Sequence, residues 1–193
     1  MPLLLLQHHS TTASLGSRQL IGKIPTRSPA KIHSFALTPH YIVHVEFPLR
    51  VNPIGLCFGN IPYINCYRWQ PELNTEFTVL DRRDGTIEAQ YEWDALLALP
   101  HVNAYETGND IIVVMAAKPD ASIIDDLYIA NLRGAKGRPV HAHSNLGRFV
   151  LAMKSDSAKT QAIKAEILSE SYIELLPYII GGAAADLIDM STA

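Results

Sequence analysis

The stretch Lys31–Glu46, which reads KIHSFALTPHYIVHVE, decides the fold class of this chain. Tyr41, Val43 and Val45 alternate with a second set of side chains, and this period of two predicts a β-strand with one buried face. His33 stands a short connection before the strand, where an imidazole is a candidate metal ligand. The stretch therefore predicts a β-rich fold with a metal site near the start of a strand.

A second stretch has the same layout. Pro100–Glu106 reads PHVNAYE and is followed by the apolar run Ile111–Met115. His101 therefore stands before a predicted strand, as His33 does. Because two histidines placed in this way can point toward one axis, they form a pair of candidate ligands.

The rest of the body is also patterned as strands. Thr75–Leu80 and Thr86–Trp93 flank an Asp-Gly pair that ends at Gly85, which predicts a β-hairpin because Asp-Gly supplies the turn backbone. Asp110–Ala117 and Arg148–Met153 predict two further strands. The expected body is a β-meander.

Two segments depart from this pattern. Prolines and asparagines between Asn52 and Pro71 predict a long irregular connection over one end of the sheet. Ala158–Leu168 is dominated by Ala, Lys, Gln and Glu with helical apolar spacing, which predicts a helix. The end of the chain, from Gly181, is rich in small residues and predicts a helical or irregular tail.

Composition and charge exclude several function classes. The 193 residues are 48% hydrophobic and 18% charged, which is typical of a soluble globular chain. The net charge of −3 provides no basic patch for phosphates, so neither nucleic acid nor an anionic membrane surface is an expected partner.

The location of the protein in the cell is only partly constrained. No apolar run reaches the roughly 18 residues of a transmembrane helix, and Leu3–Leu6 is too short for a secretory signal. The first acidic residue is Glu46, and the preceding Ser, Thr, Arg and Lys are typical of a transit peptide, so cytoplasm and plastid both stay open.

Cys57 and Cys66 lack zinc or disulfide spacing, which predicts reduced packing residues.

Five motifs stand in a fixed order along the chain. They are Ile32–Val43 with Glu46 and Pro48, Asp81-Arg82 with Gly85, Asn103–Glu106, Leu127-Tyr128, and Asn131–Arg133. In this order they resemble the middle of a carotenoid cleavage oxygenase, the family that includes retinal-forming oxygenases and the retinoid isomerohydrolase. The resemblance covers roughly Lys23–Phe149 and continues to Ile173–Leu175.

The resemblance implies a seven-bladed β-propeller whose central iron is held by four histidines from four blades. It further implies an oxidoreductase, a dioxygenase that cleaves a double bond of a conjugated polyene into two carbonyl (apocarotenoid) products. The implied cofactor is Fe(2+), which neutral imidazoles bind without adding charge and with open positions left for dioxygen. The implied partners are a carotenoid or apocarotenoid and O2, and peripheral membrane contact stays open, as does the oligomeric state.

Within the resemblance, His33 occupies the ligand position of an Ile-His-Ser-Phe motif. The second ligand is less direct, because the family's ligating histidine aligns with Pro100, which has no metal-binding side chain. A one-residue register change turns a side chain to the other face of a strand, and such a change could bring His101 into that role. Otherwise His101 is a packing histidine and the ligand is missing.

The remaining candidates are secondary. Glu174 matches a glutamate that accepts a hydrogen bond from a ligating imidazole in the family, and its alternative is a solvent-exposed carboxylate. His40 and His44 are expected to be ordinary polar residues on the face of a strand. His141 and His143 lie in a predicted loop and could take up metal adventitiously.

Length limits what the chain can form. Blades of about 40–50 residues give it roughly three to four blades of the seven, so the prediction is a partial all-β propeller. The expected segments are a non-matching stretch at 1–16, a propeller-like stretch at 17–175 and an aberrant or disordered tail at 176–193. Truncation and Pro100 favour an alternative, a catalytically inactive propeller fragment that binds an apolar ligand or a partner chain.

A propeller hydrolase is a third alternative. It needs a histidine base paired with an activated hydroxyl or carboxylate. Ser34 and His33 are adjacent on an extended segment, so their side chains point to opposite faces and do not form that pair.

Overall fold

The computed structural model describes residues 2–7, 19–26, 28–59, 61–126, 128–133, 144–153 and 163–169. These residues form mostly strands, with three short α-helices, α1 (Pro53–Phe58), α2 (Ser122–Asp126) and α3 (Ile129–Leu132). The strands are β1 (Pro2–Gln7), β2 (Gln19–Pro25), β3 (Ala36–Leu37), β4 (Tyr41–Glu46), β5 (Leu49–Val51), β6 (Tyr67–Trp69), β7 (Thr75–Asp81), β8 (Ile87–Trp93), β9 (Leu97–Thr107), β10 (Asp110–Lys118), β11 (Asn145–Ala152) and β12 (Ile163–Ser169).

The first four-stranded sheet has the order β3-β4-β7-β8 and is antiparallel throughout. The strand predicted from Tyr41 is confirmed as β4, and it pairs with β7 so that Glu46 lies opposite Glu76. The predicted hairpin is confirmed as β7 and β8. Its turn depends on Gly85, whose φ of +72° is a left-handed backbone that glycine adopts without steric cost.

The second four-stranded sheet is a meander with the order β9-β10-β11-β12. The strands predicted at Asp110–Ala117 and Arg148–Met153 are confirmed as β10 and β11, with ends that differ by a few residues. β9 and β10 are joined by a tight turn at Gly108, which has a φ of +57°. Each strand is thus paired with its neighbour in sequence.

The main core lies between the two four-stranded sheets. Alternate residues of β4, such as Val43 and Val45, face alternate residues of β10, such as Val113 and Met115, and all four are inaccessible to solvent. Full burial of an aliphatic side chain of this size contributes about 1.5–3 kcal/mol. The larger buried residues of this core are Phe47, Leu49, Phe77, Tyr91, Leu97, Ile111, Phe149 and Leu151.

The opposite face of the first sheet packs on β2. Ile42 and Leu80 form a small second core there with Ile24 of β2. The contact is close enough that a Cβ on Gly22 would lie 2.8 Å from the carbonyl oxygen of Gly85. β2 pairs with β1, which lies inside the segment predicted at 1–16.

The predicted irregular connection between Asn52 and Pro71 contains short elements. Asn52 caps α1 by accepting a hydrogen bond from the backbone N–H of Gly55, and β6 pairs with β5 farther along. Cys66 is buried and Cys57 is exposed, and both are free thiols.

The helix predicted at Ala158–Leu168 is wrong for its described part, which is the strand β12. β11 offers an unpaired edge, and its hydrogen-bonding groups are satisfied by pairing with β12. Arg148 of β11 also binds Glu166 of β12 through its Nη2, 2.7 Å from Oε2. Tertiary pairing therefore overrides the helical propensity of this sequence.

Two meandering four-stranded sheets in succession are blade-like units of a β-propeller. None of the sheets formed by the described ranges closes into a ring. The predicted tail at 176–193 lies outside those ranges. No described helix combines the length and apolar character needed to cross a membrane.

Candidate functional site

A β-bulge in β9 sets the direction of the His101 side chain. In the pairing of β9 with β10, Asn103 lies opposite Val114 and His101 lies opposite Met115, so Val102 has no partner. Because Met115 faces the core between the sheets, the imidazole of His101 is on that face as well. The bulge therefore sets the face of β9 on which His101 lies.

His101 is held against the segment that precedes β3. The hydroxyl of Ser34 lies 2.8 Å from Nδ1 of His101, accepts the backbone N–H of His101 at 3.1 Å and donates to the carbonyl of Leu99 at 3.1 Å. Ser34 was expected not to pair with its neighbour His33. Its partner in the structure is His101, a histidine 67 residues away. The three contacts tie the inner edges of the two sheets together.

The other ring nitrogen of His101 is free. Its Nε2 is buried and has no hydrogen-bond partner. Burial, with a smaller contribution from the charges of His44 and His33, lowers the pKa of His101 from its usual 6.5 to about 4. At neutral pH the imidazole is therefore uncharged, which is the form that binds a metal.

His33 is placed differently. It lies in the extended segment before β3 and its residue surface is exposed. The next residue, Ser34, lies 2.8 Å from Nδ1 of His101, so the backbone brings His33 to the same region as His101. The structure thus brings both predicted ligands to one region, one at the surface and one buried.

His44 was not singled out from the sequence as a site residue. It lies in the middle of β4, is only 1% exposed, and its Nε2 is buried without a partner. Burial lowers its pKa, and Glu46 opposes that shift. The sequence did offer a sign of this: His44 stands between two apolar residues, Val43 and Val45, inside a predicted strand. A buried imidazole in such a place has few possible hydrogen-bond partners.

His40 is an exposed residue of the turn before β4, where the sequence had placed a polar residue on the strand. Its Nδ1 lies 2.8 Å from Oε2 of Glu106, and its backbone N–H donates to Oε1 at 2.9 Å. Arg82 closes the same corner by donating from Nη1 to the carbonyl of Thr38 at 3.0 Å. These motif residues therefore join the first sheet to the β9–β10 hairpin rather than lining a metal site.

The donor set can be tested against an iron centre. The buried, unpartnered Nε2 of His101 fits a ligand, and the exposed His33 leaves its imidazole accessible to one. Over the described ranges, however, no three His, Cys, Asp or Glu side chains converge closely enough to hold a metal ion. Glu174, His141 and His143 lie outside the described residues.

A cleft opens beside β5, β6 and α2. Its volume is about 370 Å³, and its lining is part apolar and part polar: Leu49, Tyr67, Trp69, Ala121 and Ile124, with Asp120, Ser122 and Asp125. Aromatic and aliphatic walls of this kind suit an apolar ligand.

Comparison with known proteins identifies the family. The model of the family described as retinal pigment epithelial membrane protein, RPE65, matches residues 7–178. The chain belongs to the carotenoid cleavage oxygenase family. The membership predicted from the five motifs is thereby confirmed.

The curated relatives that this chain resembles agree with the family match, since they are named as carotenoid oxygenases and dioxygenases. The chain is 32% identical over 123 residues to the carotenoid isomerooxygenase of Galleria mellonella. The aligned stretch is 62% of this chain and 24% of the relative. The chain is 31% identical over 144 residues to carotenoid cleavage dioxygenase 8 homolog A, chloroplastic, of Oryza sativa subsp. japonica, covering 71% and 26%. The chain thus spans about a quarter of the length of these relatives.

Solved structures establish the fold. A variant of the Synechocystis apocarotenoid oxygenase superposes with a TM-score of 0.64 at 21% identity, covering 86% of this chain and 32% of that one. The lignostilbene dioxygenase of Pseudomonas brassicacearum gives a TM-score of 0.57 at 19% identity, with 79% and 30% covered. The predicted partial propeller is confirmed.

Proposed function

We propose that this chain is the central segment of an iron(II)-dependent dioxygenase that cleaves a conjugated polyene into apocarotenoid carbonyl products. Family membership gives the reaction class, since the curated relatives are named as carotenoid oxygenases and dioxygenases. The observation that carries the proposal is the uncharged, buried imidazole of His101, whose Nε2 has no protein partner and whose Nδ1 contacts Ser34, the residue next to His33.

His33 and His101 are the ligands that this segment contributes in the proposal. Bound iron(II) would supply the redox chemistry of dioxygen, and imidazole ligands suit it because they add no charge. A solved relative is described as cobalt-substituted Synechocystis apocarotenoid oxygenase, so a metal position exists in that protein. In the proposal, further ligands would come from parts of the protein outside this segment, and Glu174 would accept a hydrogen bond from one of the ligating imidazoles.

The substrate in the proposal is a carotenoid or apocarotenoid. The cleft lined by Leu49, Tyr67, Trp69 and Ile124 offers apolar and aromatic surface to a conjugated chain. The cleft is also lined by Asp120, Ser122 and Asp125, which suit a polar end group better than the hydrocarbon.

The second candidate is a catalytically inactive propeller segment that binds an apolar ligand or a partner chain. Pro100 at the expected ligand position favours it, because proline has no metal-binding side chain. The lack of three converging metal donors within the described ranges favours it as well.

One experiment separates the two candidates. The 193-residue chain is reconstituted anaerobically with Fe(II), mixed with an apocarotenal, and exposed to isotopically labelled dioxygen. Two shorter carbonyl products that carry the label, require iron and disappear in H33A support the dioxygenase. Polyene binding without cleavage, seen as a shift of its visible absorbance, supports the inactive segment. The absence of both refutes cleavage and polyene binding by this segment alone.

Peripheral membrane contact is a further part of the proposal. Ile54, Phe58 and Tyr63, on and after α1, are 72%, 88% and 56% exposed, which is unusual for large apolar side chains. Sedimentation with phosphatidylcholine vesicles tests the contact: F58E is expected to lower the bound fraction, and an unchanged fraction contradicts it.

A further inference from the structure

The hydroxyl of Ser34 has one hydrogen and three close partners, and this count determines the protonation of His101. The carbonyl oxygen of Leu99, 3.1 Å away, can only accept a hydrogen bond. The backbone N–H of His101, also 3.1 Å away, can only donate one. Because the single hydroxyl hydrogen is directed at Leu99, the remaining contact of 2.8 Å is satisfied only if Nδ1 of His101 is the donor.

The opposite tautomer satisfies fewer groups. With the hydrogen on Nε2, the hydroxyl of Ser34 would turn to Nδ1, and its contact with the carbonyl of Leu99 would lose its hydrogen. The hydrogen on Nε2 would then be buried without an acceptor, because that atom has no partner. Nε2 has no partner in either tautomer, so the difference lies at the carbonyl of Leu99, which receives a hydrogen bond from Ser34 only in the Nδ1–H form.

We propose that Ser34 is a positioning residue that holds His101 as the Nδ1–H tautomer and so keeps the lone pair of Nε2 available for a metal ion. The inference rests on the proposed function, because it assigns the atom through which His101 would bind. Ser34 plays for His101 the part that a carboxylate or carbonyl plays for many metal-binding histidines, where a hydrogen bond to one ring nitrogen fixes the role of the other. In this proposal His33 is itself a ligand, and the adjacent Ser34 supports the second ligand, His101.

The tautomer is measured directly on the metal-free wild-type chain. Long-range proton–nitrogen NMR of the ¹⁵N-histidine-labelled protein at pH 8 distinguishes a protonated from an unprotonated ring nitrogen, and the signal missing in H101N assigns His101. The expected spectrum has a protonated Nδ1 and an unprotonated Nε2. A protonated Nε2 in the wild-type chain overturns the inference, whatever the chain does with metals.

Variants test the positioning role. S34A is expected to weaken Co(II) binding by about 10- to 100-fold, the usual effect of removing a hydrogen-bond partner of a ligating histidine. S34T keeps the hydroxyl and is expected to restore both the tautomer and the affinity, while the exposed S122A serves as control. Equal affinities for S34A and S34T contradict the role of Ser34.

The two proposals fail in different ways. An Nδ1–H tautomer in a wild-type chain that binds no Co(II) supports the role of Ser34 and refutes the metal centre of this segment. Co(II) binding by a chain with Nε2–H refutes the role of Ser34 and leaves the metal centre standing.

Discussion

Acid is expected to destabilise the metal-free chain through His101. Burial lowers the pKa of His101 from 6.5 to about 4, so between these values the unfolded chain binds a proton that the folded chain does not. Stability is therefore complete above pH 6.5, falls as the pH decreases toward 4, and loses no more through His101 below that value. One pKa unit corresponds to about 1.4 kcal/mol, so the total loss is about 3 kcal/mol.

The assay is urea unfolding followed by tryptophan fluorescence at pH 7, 6, 5 and 4. H101N is the matched variant, because its amide can donate to Ser34 from the position of Nδ1 and does not titrate. His44, whose pKa burial also lowers, and carboxylates such as Asp81 destabilise both proteins in acid, so the difference between the two curves isolates His101. A difference that stays constant from pH 7 to 4 refutes the assignment of a buried, neutral His101.

Three other substitutions test the fold by the same unfolding assay. E46A is expected to cost about 3–5 kcal/mol, because it leaves the buried guanidinium of Arg50 without its carboxylate, and the double variant E46A/R50M should recover part of that loss. F149A is expected to cost about 3–5 kcal/mol by opening a cavity between the sheets. G85A should destabilise more than its control G108A: both glycines have positive φ, but only at Gly85 would a Cβ meet backbone, 2.1 Å from a carbonyl oxygen. Equal losses for the two glycine variants would contradict the close packing of β2 on that turn.

The strands that the sequence predicts correctly are those with local signals. β4 has an unbroken alternation, and the β7–β8 hairpin is marked by Asp-Gly at its turn, so neither depends on distant contacts. The propeller itself was predicted only by resemblance, because blade order is a property of the whole ring and not of any single strand.

The parts that were missed depend on long-range pairing. Ile163–Ser169 is a strand because the edge of β11 is there to pair with it, which its composition does not reveal. The bond between Ser34 and His101 joins residues 67 positions apart, and the bulge at Val102 that makes it possible has no sequence signature. Pattern alone therefore found both histidines but not how the second one is held.

Anaerobic Fe(II) binding by the 193-residue chain tests whether His33 and His101 together hold a metal ion. Equilibrium dialysis compares the wild-type chain with H33A, H101A and H40Q, the last being an exposed histidine that contacts Glu106 instead of the site. We expect saturable binding of one iron per chain that both H33A and H101A weaken and H40Q leaves unchanged. Absence of binding, or binding that is the same in all four proteins, would contradict a metal centre built on His33 and His101.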